Sequence, residues 1–281
     1  MSFDFQGHFM FKFLRKTVAL ACFMLVPFSA ALHAQEAEDF DQYKLRVNAF
    51  WFFSNPSGNV QGSADSGSVD LQKDLGFNTY STFAGKVDWK FTRKNHFYVA
   101  LSPFYSSRQK ILTRTFVFQG QTFEVGLAAN SHLHSFLVAP GYQHDLIRRK
   151  RGHLGLAVQM DLFNSTAKIS ATGQVNGTQR SVFASGSLLA PIPVAGPEFR
   201  LYLTNSPRLF VEGNVYGMYF GGYGHFVSTV GALGLTLTKH MSANAGYQLG
   251  SRLVVNNNSS SNRIGLRLTQ QGAIAGVEFS F

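Results

Sequence analysis

The chain is nearly without sulfur chemistry. Its 281 residues include one cysteine, Cys22, which lies in the N-terminal apolar stretch. The body of the chain therefore has no thiol for a disulfide, a thiolate metal site or a cysteine nucleophile. It also lacks long apolar runs. Past the N-terminal stretch no segment reaches the 18 or more apolar residues of a helical membrane span. Nucleotide chemistry leaves no mark. The cluster Gly221-Gly222-Tyr223-Gly224 follows Phe220 without a helix after it, so it reads as a turn and not as a phosphate cradle. An extracytoplasmic chain without disulfides must be held by a closed core or by lipid.

The first 34 residues have the parts of a secretory leader. Lys12, Arg15 and Lys16 form a basic region, Thr17 to Ala31 is apolar, and Leu32-His33-Ala34 precedes Gln35 as a cleavage site, with Ser29-Ala30-Ala31 as the alternative. The apolar stretch is too short for a membrane anchor and ends in small residues. Residues 35–281 then form the working domain. Losing the three cations and Asp4 with the leader takes the formal charge from +10 to +8. Basic balance can point to nucleic acid. Here the cations are spread over strands and turns of a secreted chain, so anionic lipid headgroups or a buried charge network fit better.

Alternation dominates the remainder. Leu45, Val47, Ala49, Trp51 and Phe53 fall on one face and Lys44, Arg46 and Asn48 on the other. Phe83, Val87, Trp89 and Phe91 oppose Lys86, Asp88 and Lys90, while Phe97, Val99, Leu101 and Tyr105 oppose Tyr98, Ala100 and Ser102. The same pattern holds for Leu154 to Leu162 against Gln159 and Asp161, for Phe199, Leu201 and Leu203 against Glu198 and Arg200, and for Leu209, Val211 and Val215 against Glu212 and Asn214. It continues in Leu233 to Leu237 and in Ala243 to Leu249. Ser131 to Ile147 alternates poorly. Near the C-terminus Ile264, Leu266 and Leu268 oppose Arg267, and Gln270-Gln271-Gly272 is expected to shift the phase as a bulge would. The chain closes on apolar residues at 273, 275, 277, 279 and 281, ending with Phe279 and Phe281.

These segments exceed the usual strand of about 5–6 residues. Tight polar turns at 92–95, 148–152, 205–207 and 239–240 alternate with longer links near 55–78, 107–128, 166–190 and 255–262, although the link at 221–224 is short. The count is about ten antiparallel strands, with eight or twelve open, because 107–128 and 166–190 could also be β-extensions above a membrane. Ser68 to Phe77 allows one or two helical turns across the mouth, with Leu71 and Leu75 on one face and Gly76 as a stop. Asn176-Gly177 reads as a hairpin turn pair.

A leader, long alternating segments and a terminal aromatic strand together resemble the bacterial outer-membrane β-barrels. The resemblance implies an all-β fold, a closed antiparallel transmembrane barrel in the bacterial outer membrane. It also implies Phe279 and Phe281 as the signal read by the barrel-assembly machinery, and outer-membrane lipid as the partner of the outer face. Trp51, Phe53, Trp89, Phe91, Phe97 and Tyr105 would form interfacial girdles with them.

Apolar faces toward lipid send the charges inward. Arg46, Lys86, Asp88, Asp161, Glu198, Arg200, Glu212 and Arg267 form the expected lumen network, together with Lys44, Lys90 and Glu278. One expected arrangement sets Glu198 and Glu212 near Arg200 and Arg46. Buried charges must be paired, and about 8 strands leave room only for side chains, whereas open channels come with about 16–18. A filled lumen is favoured over a permeation path. Chemistry has few candidates. His132 and His134 share a strand face, with Ser131 and Ser135 on the other, so no local nucleophile–base pair forms. With His144 they are a weak metal signal, better read as rim histidines. The lipid A deacylase pattern fails, since Arg267-Leu268-Thr269-Gln270-Gln271-Gly272 has no histidine. The sequence favours a non-enzymatic barrel, without cofactor, metal or nucleic-acid partner. Its role is structural or narrow solute passage, with working loops at 55–78 and 107–128. A lipid hydrolase and a hydrophobic-ligand carrier are the alternatives.

Overall fold

Strand follows strand along the chain: β1 (Leu45–Gln61), β2 (Ser68–Asp70), β3 (Tyr80–Lys90), β4 (Asn95–Ile111), β5 (Phe116–Phe118), β6 (Gln121–Phe123), β7 (Ala128–Arg149), β8 (Gly152–Val175), β9 (Thr178–Tyr202), β10 (Leu209–Phe220), β11 (Gly224–Thr236), β12 (Met241–Val255) and β13 (Gly265–Ser280). The structure is a computed structural model and describes residues 40–62, 67–220, 224–255 and 264–281. The leader assigned to 1–34 lies outside them, as do parts of the links at 221–223 and 256–263. Leaving aside β2, β5 and β6, ten strands form an antiparallel ring, closed where β13 pairs back on β1 from Arg46↔Ser280 to Gln61↔Gly265. Closure follows from the solvent. In hydrocarbon each unpaired backbone group costs several kcal/mol, so a sheet there keeps no free edge.

An even strand number brings the start of β1 and the end of β13 to one rim. There the Phe281 carbonyl accepts from the amides of Lys44 at 2.6 Å and Leu45 at 3.1 Å. The turns on this rim are short, at 91–94, 150–151, 203–208 and 237–240. Outward side chains make an apolar band: Trp51, Phe53, Trp89, Phe97, Tyr105, Phe279 and Phe281 are all exposed.

Higher up, the pattern inverts. On β8 the outward residues Leu154, Leu156, Val158, Met160 and Leu162 are followed by Asn164, Thr166, Lys168, Ser170 and Thr172, while the inward positions turn apolar at Phe163, Ala167, Ile169 and Ala171. The outward apolar run has the length a tilted membrane strand needs, about 9–11 residues. Beyond it water lies outside and the core inside. This explains the poor alternation of β7, where Leu133 is buried and His134 exposed. It also corrects β13. The ladder with β1 runs unbroken through Gln270-Gln271-Gly272, so no phase shift occurs there, and Leu266 and Leu268 point inward. The irregular register lies on the facing strand, between Gln248 and Ser251.

The segment 166–190 is therefore mostly strand, closed by Asn176-Gly177. Both residues sit in the left-handed region, at φ 51° and 79°, as a two-residue hairpin turn of this hand requires. Residues 107–111 likewise continue β4. The segment 68–77 contains a single helix-like turn rather than a helix, with the amides of Asp74 and Gly76 each donating to the carbonyl four residues back at 3.1 Å and Gly76 ending it at φ 74°. It starts as β2, paired with Asn59–Gln61, and then makes one turn capped by the Asp70 carboxylate, which accepts from the amides of Gln72 (2.9 Å) and Lys73 (2.7 Å). Its Leu71 and Leu75 are buried, as are Phe116, Phe118 and Phe123 of the β5–β6 hairpin. Fully burying each such side chain contributes about 1.5–3 kcal/mol. These residues fill the far end of the barrel and pack with Leu133, Ile169, Leu188, Ile192 and Leu266 in one cluster.

Two ladders stop short. The β3–β4 pairing ends at Gly85↔Leu101, two residues before Pro103, whose carbonyl accepts instead from the Thr82 hydroxyl. The β9–β10 pairing ends at Gly217↔Ala195, below Pro193 and Pro191. Proline has no N–H for a ladder. Between these seams β4, β7, β8 and β9 continue upward as a tall four-stranded wall, paired to Ile111↔Ala128, Ala128↔Thr172 and Val175↔Thr178.

Candidate functional site

The lumen near the terminus-side rim is filled by charge. Asp41, in the segment ahead of β1, is 1% exposed and lies at the centre. It pairs with Arg46 of β1. His153 of β8 approaches its carboxylate at 2.9 Å, and Arg148 of β7 at 3.3 Å. Lys90 of β3 donates to its backbone carbonyl at 3.0 Å. Beside it His96 is fully buried between two carboxylates, with Nε2 3.1 Å from Asp145 and Nδ1 3.3 Å from Asp88. The ring can donate to both only when each nitrogen carries its proton. Arg148 also reaches Asp145 at 3.1 Å.

Across the lumen Arg200 of β9 donates to Glu278 at 2.8 Å and to Glu212 at 3.0 Å. Arg46 links the two groups, with Nε 3.3 Å from Glu278. Lys86 and Glu198 form a separate pair at 2.9 Å, and the Tyr216 hydroxyl donates to the same glutamate. The pairing differs from the arrangement expected from sequence: Glu212 goes to Arg200, but Glu198 goes to Lys86. Desolvating so many ions is costly unless each finds a partner. Nearly all of them do, and the result is a connected layer across the barrel.

Eight of the eleven charged residues singled out by alternation meet in these clusters: Arg46, Lys86, Asp88, Lys90, Glu198, Arg200, Glu212 and Glu278. Asp161 is buried in the lumen wall but apart from them. Its Oδ1 accepts from Gln159 at 2.6 Å, and no cation lies beside it among the described residues. Arg267 does not belong to the lumen. It is exposed on the outer face of β13, above the apolar band, because the core there draws Leu266 and Leu268 inward. Lys44 is exposed at the rim. Sequence reasoning missed Asp41, His96, Asp145, Arg148 and His153. The register shift between Asp145 and Ile147 turns Arg148 inward, out of phase with the strand before it. Asp41 precedes any alternating segment and gives no periodic signal.

Phe279 and Phe281 are on the outer face, and His240 stacks on the Phe281 ring at 6.1 Å. Ser131 is buried and His132 is on the opposite face of β7, so the two do not form a pair. His144 donates from Nδ1 to the Asn95 side-chain oxygen at 2.8 Å near the rim.

Between the ionic layer and the far-end core lies a cavity of about 360 Å³. Its wall combines aromatic side chains, among them Phe52, Tyr98, Phe104 and Phe163, with Lys86, Asp161 and Glu198. Tyr98 lies across Gly141, where an added Cβ would meet its ring at 2.4 Å, and from there its hydroxyl reaches Gln159 at 2.8 Å.

A closed ring with an apolar exterior and an ionic interior has solved relatives. The chain is similar to the outer membrane protease OmpT of Escherichia coli, with 12% identity and a TM-score of 0.54, over 86% of this chain and 100% of that one. The fold is that of a bacterial outer-membrane β-barrel. The translocator domain of the autotransporter NalP of Neisseria meningitidis matches 95% of this chain and 98% of its own, at 14% identity and a TM-score of 0.39. The transport unit of the autotransporter AIDA-I of Escherichia coli matches 89% and 94%, at 10% identity and a TM-score of 0.40. No protein-family model and no curated protein sequence matches the chain. In an outer-membrane barrel short turns face the periplasm and longer loops the outside. The terminus-side rim is thus periplasmic, and the apolar core with its tall wall is extracellular.

Proposed function

We propose that the chain is an integral, non-enzymatic barrel of the bacterial outer membrane, closed to solutes, with a structural role in the envelope and an extracellular surface built from the β1–β3 and β4–β7 connections. Residues 1–34 act as the leader. Phe279 and Phe281 present the closing strand to the assembly machinery, and lipid acyl chains are the partner of the outer band.

The observation that carries this reading is the lumen, filled at both ends by unlike material. Paired ions from Asp41 to Glu278 cross it at the periplasmic end, and Phe77, Phe118 and Phe123 fill the extracellular end. The strand number points the same way, since about 8 strands hold only side chains. OmpT is a protease, and a hydrolase is the competing reading. Against it stand Ser131 and His132 on opposite faces, and His96 and His153 engaged by buried carboxylates deep in the barrel. Planar-bilayer recording of the purified chain is the test. The closed reading expects no steady current. A large, persistent open conductance overturns it.

A further inference from the structure

Beyond a closed barrel, we propose that the mid-lumen cavity is a binding site for a lipophilic amine, a molecule with a compact ring-sized apolar body and one protonated nitrogen, taken up sideways from the membrane. The charge inventory of the wall supplies the first argument. The cavity is lined by Arg46, Lys86, Arg200 and His153, the last engaged by Asp41, and by four carboxylates, Asp88, Asp161, Glu198 and Glu212. Three of these carboxylates are matched: Asp88 by His96, Glu198 by Lys86 and Glu212 by Arg200. Asp161 is left over. It is 2% exposed, and among the described residues its one hydrogen bond comes from a neutral amide, Gln159. A buried carboxylate without a cation is unfavourable by itself, and a cationic guest would restore the balance. The surroundings suit such a guest. Phe104, Phe163 and Tyr98 share the cavity with Asp161, and aromatic faces attract organic cations. The volume, about 360 Å³, falls within the range of small-molecule sites, about 300–1,000 Å³.

The route is the second argument. Both ends of the lumen are filled, so entry along the axis is blocked. The side is weaker. The cavity wall includes Gly85 and Leu101, and these two residues form the last rung of the β3–β4 ladder. Leu101 points outward and is 44% exposed within the apolar band, beside Phe83 and Val99. Interrupting a ladder at this depth is unfavourable in lipid, and here the interruption borders both the cavity and the acyl chains.

The full mature chain in phosphatidylcholine nanodiscs provides the test, by calorimetric titration with 1-naphthylmethylamine, 1-naphthylmethanol and 1-naphthoic acid at neutral pH. The amine is expected to saturate one site and to bind at least about tenfold tighter than the alcohol and the acid. Asp161→Asn should abolish that preference, and Ala100→Trp, which fills the cavity, should abolish saturable binding of all three. Absence of saturable amine binding by the unaltered chain overturns the site, and so does equal affinity for amine and acid. These outcomes do not depend on Asp161→Asn folding, and conductance is read separately. For the route, Phe83→Cys with Pro103→Cys places two thiols across the second unpaired rung, the first at which both side chains point outward. Oxidation should slow amine uptake at least about tenfold and reduction should restore it. Equal uptake rates in the two states overturn entry through the seam.

Discussion

The two halves of the lumen solve one problem with opposite materials. The periplasmic half encloses ions inside a wall that faces hydrocarbon. The extracellular half encloses Leu, Ile and Phe inside a wall that faces water. In each case the inside is the reverse of the outside, and single strands carry both halves. On β8 the change falls between Leu162 and Asn164 outside, and between Asp161 and Phe163 inside. The strand keeps its period of two while the meaning of each phase is exchanged. A membrane boundary is written into the sequence as a change of sign rather than as a break.

The sharpest way to break the comparison is to cut the ionic half. Arg200→Ala leaves the part-buried Glu212 without its cation and the buried Glu278 with Arg46 alone. Removing one member of a buried pair costs about 3–5 kcal/mol, read as a lowered urea midpoint for the refolded chain in lipid vesicles. Its counterpart in the apolar half is Phe118→Ala, at a fully buried ring. A loss of about 3–5 kcal/mol is again expected. Here it should be local, seen as faster proteolysis of residues 112–127 while the barrel still migrates as a folded species on an unheated gel. Equal loss of barrel folding in both variants would erase the distinction between the halves.

The boundary itself is tested by two outward arginines on one strand. Val158→Arg lies within the apolar run and should cost about 2–4 kcal/mol, whereas Thr166→Arg lies past the change and should cost about 0–1 kcal/mol. Similar costs at both positions would move the boundary. The smallest effect concerns the capped turn outside. Burial raises the Asp74 carboxyl, but the Arg114 guanidinium and the Asp70 amide outweigh it and hold the group below its ordinary value. A lowered folded value means that the stabilisation is present above the ordinary carboxylate range and is lost as pH falls through the folded value. Because Arg114 is half exposed, the contribution stays within about 1 kcal/mol. Amide protection factors at Leu71 to Gly76, taken relative to intrinsic exchange at each pH, should fall in acid, and Arg114→Ala should remove most of the difference between neutral and acid pH.

Much of the barrel was legible because its signal is local. Trp51, Phe53, Trp89 and Phe97 alternate with Lys86, Asp88 and Lys90 over stretches long enough to cross a membrane, and Asn176-Gly177 names its own turn. The extracellular half was harder. Leu266 and Leu268 alternate as cleanly as any lipid-facing pair, and the period alone does not say which solvent lies outside. That ambiguity put Arg267 in the lumen and produced an apparent phase shift at Gln270–Gly272. Within the ionic layer, the residues on regular strands could be assigned to a face. Their partners required three-dimensional closure, since Lys86 meets Glu198 across more than a hundred residues of chain. Asp41 and Arg148 were hidden for separate reasons, one lying ahead of the first strand and the other past a bulge.

The position of Asp41 has a consequence for assembly. Its partners come from β1, β3, β7 and β8, and they converge on one point only once the sheet has curled far enough to bring β8, the fifth strand of the ring, near β1. Until then the aspartate has nowhere to dock. The stretch of chain that leads into the barrel is thus seated late, as a keystone set into an arch already standing, and its capture reports at the periplasmic mouth that the cylinder above has been rolled correctly.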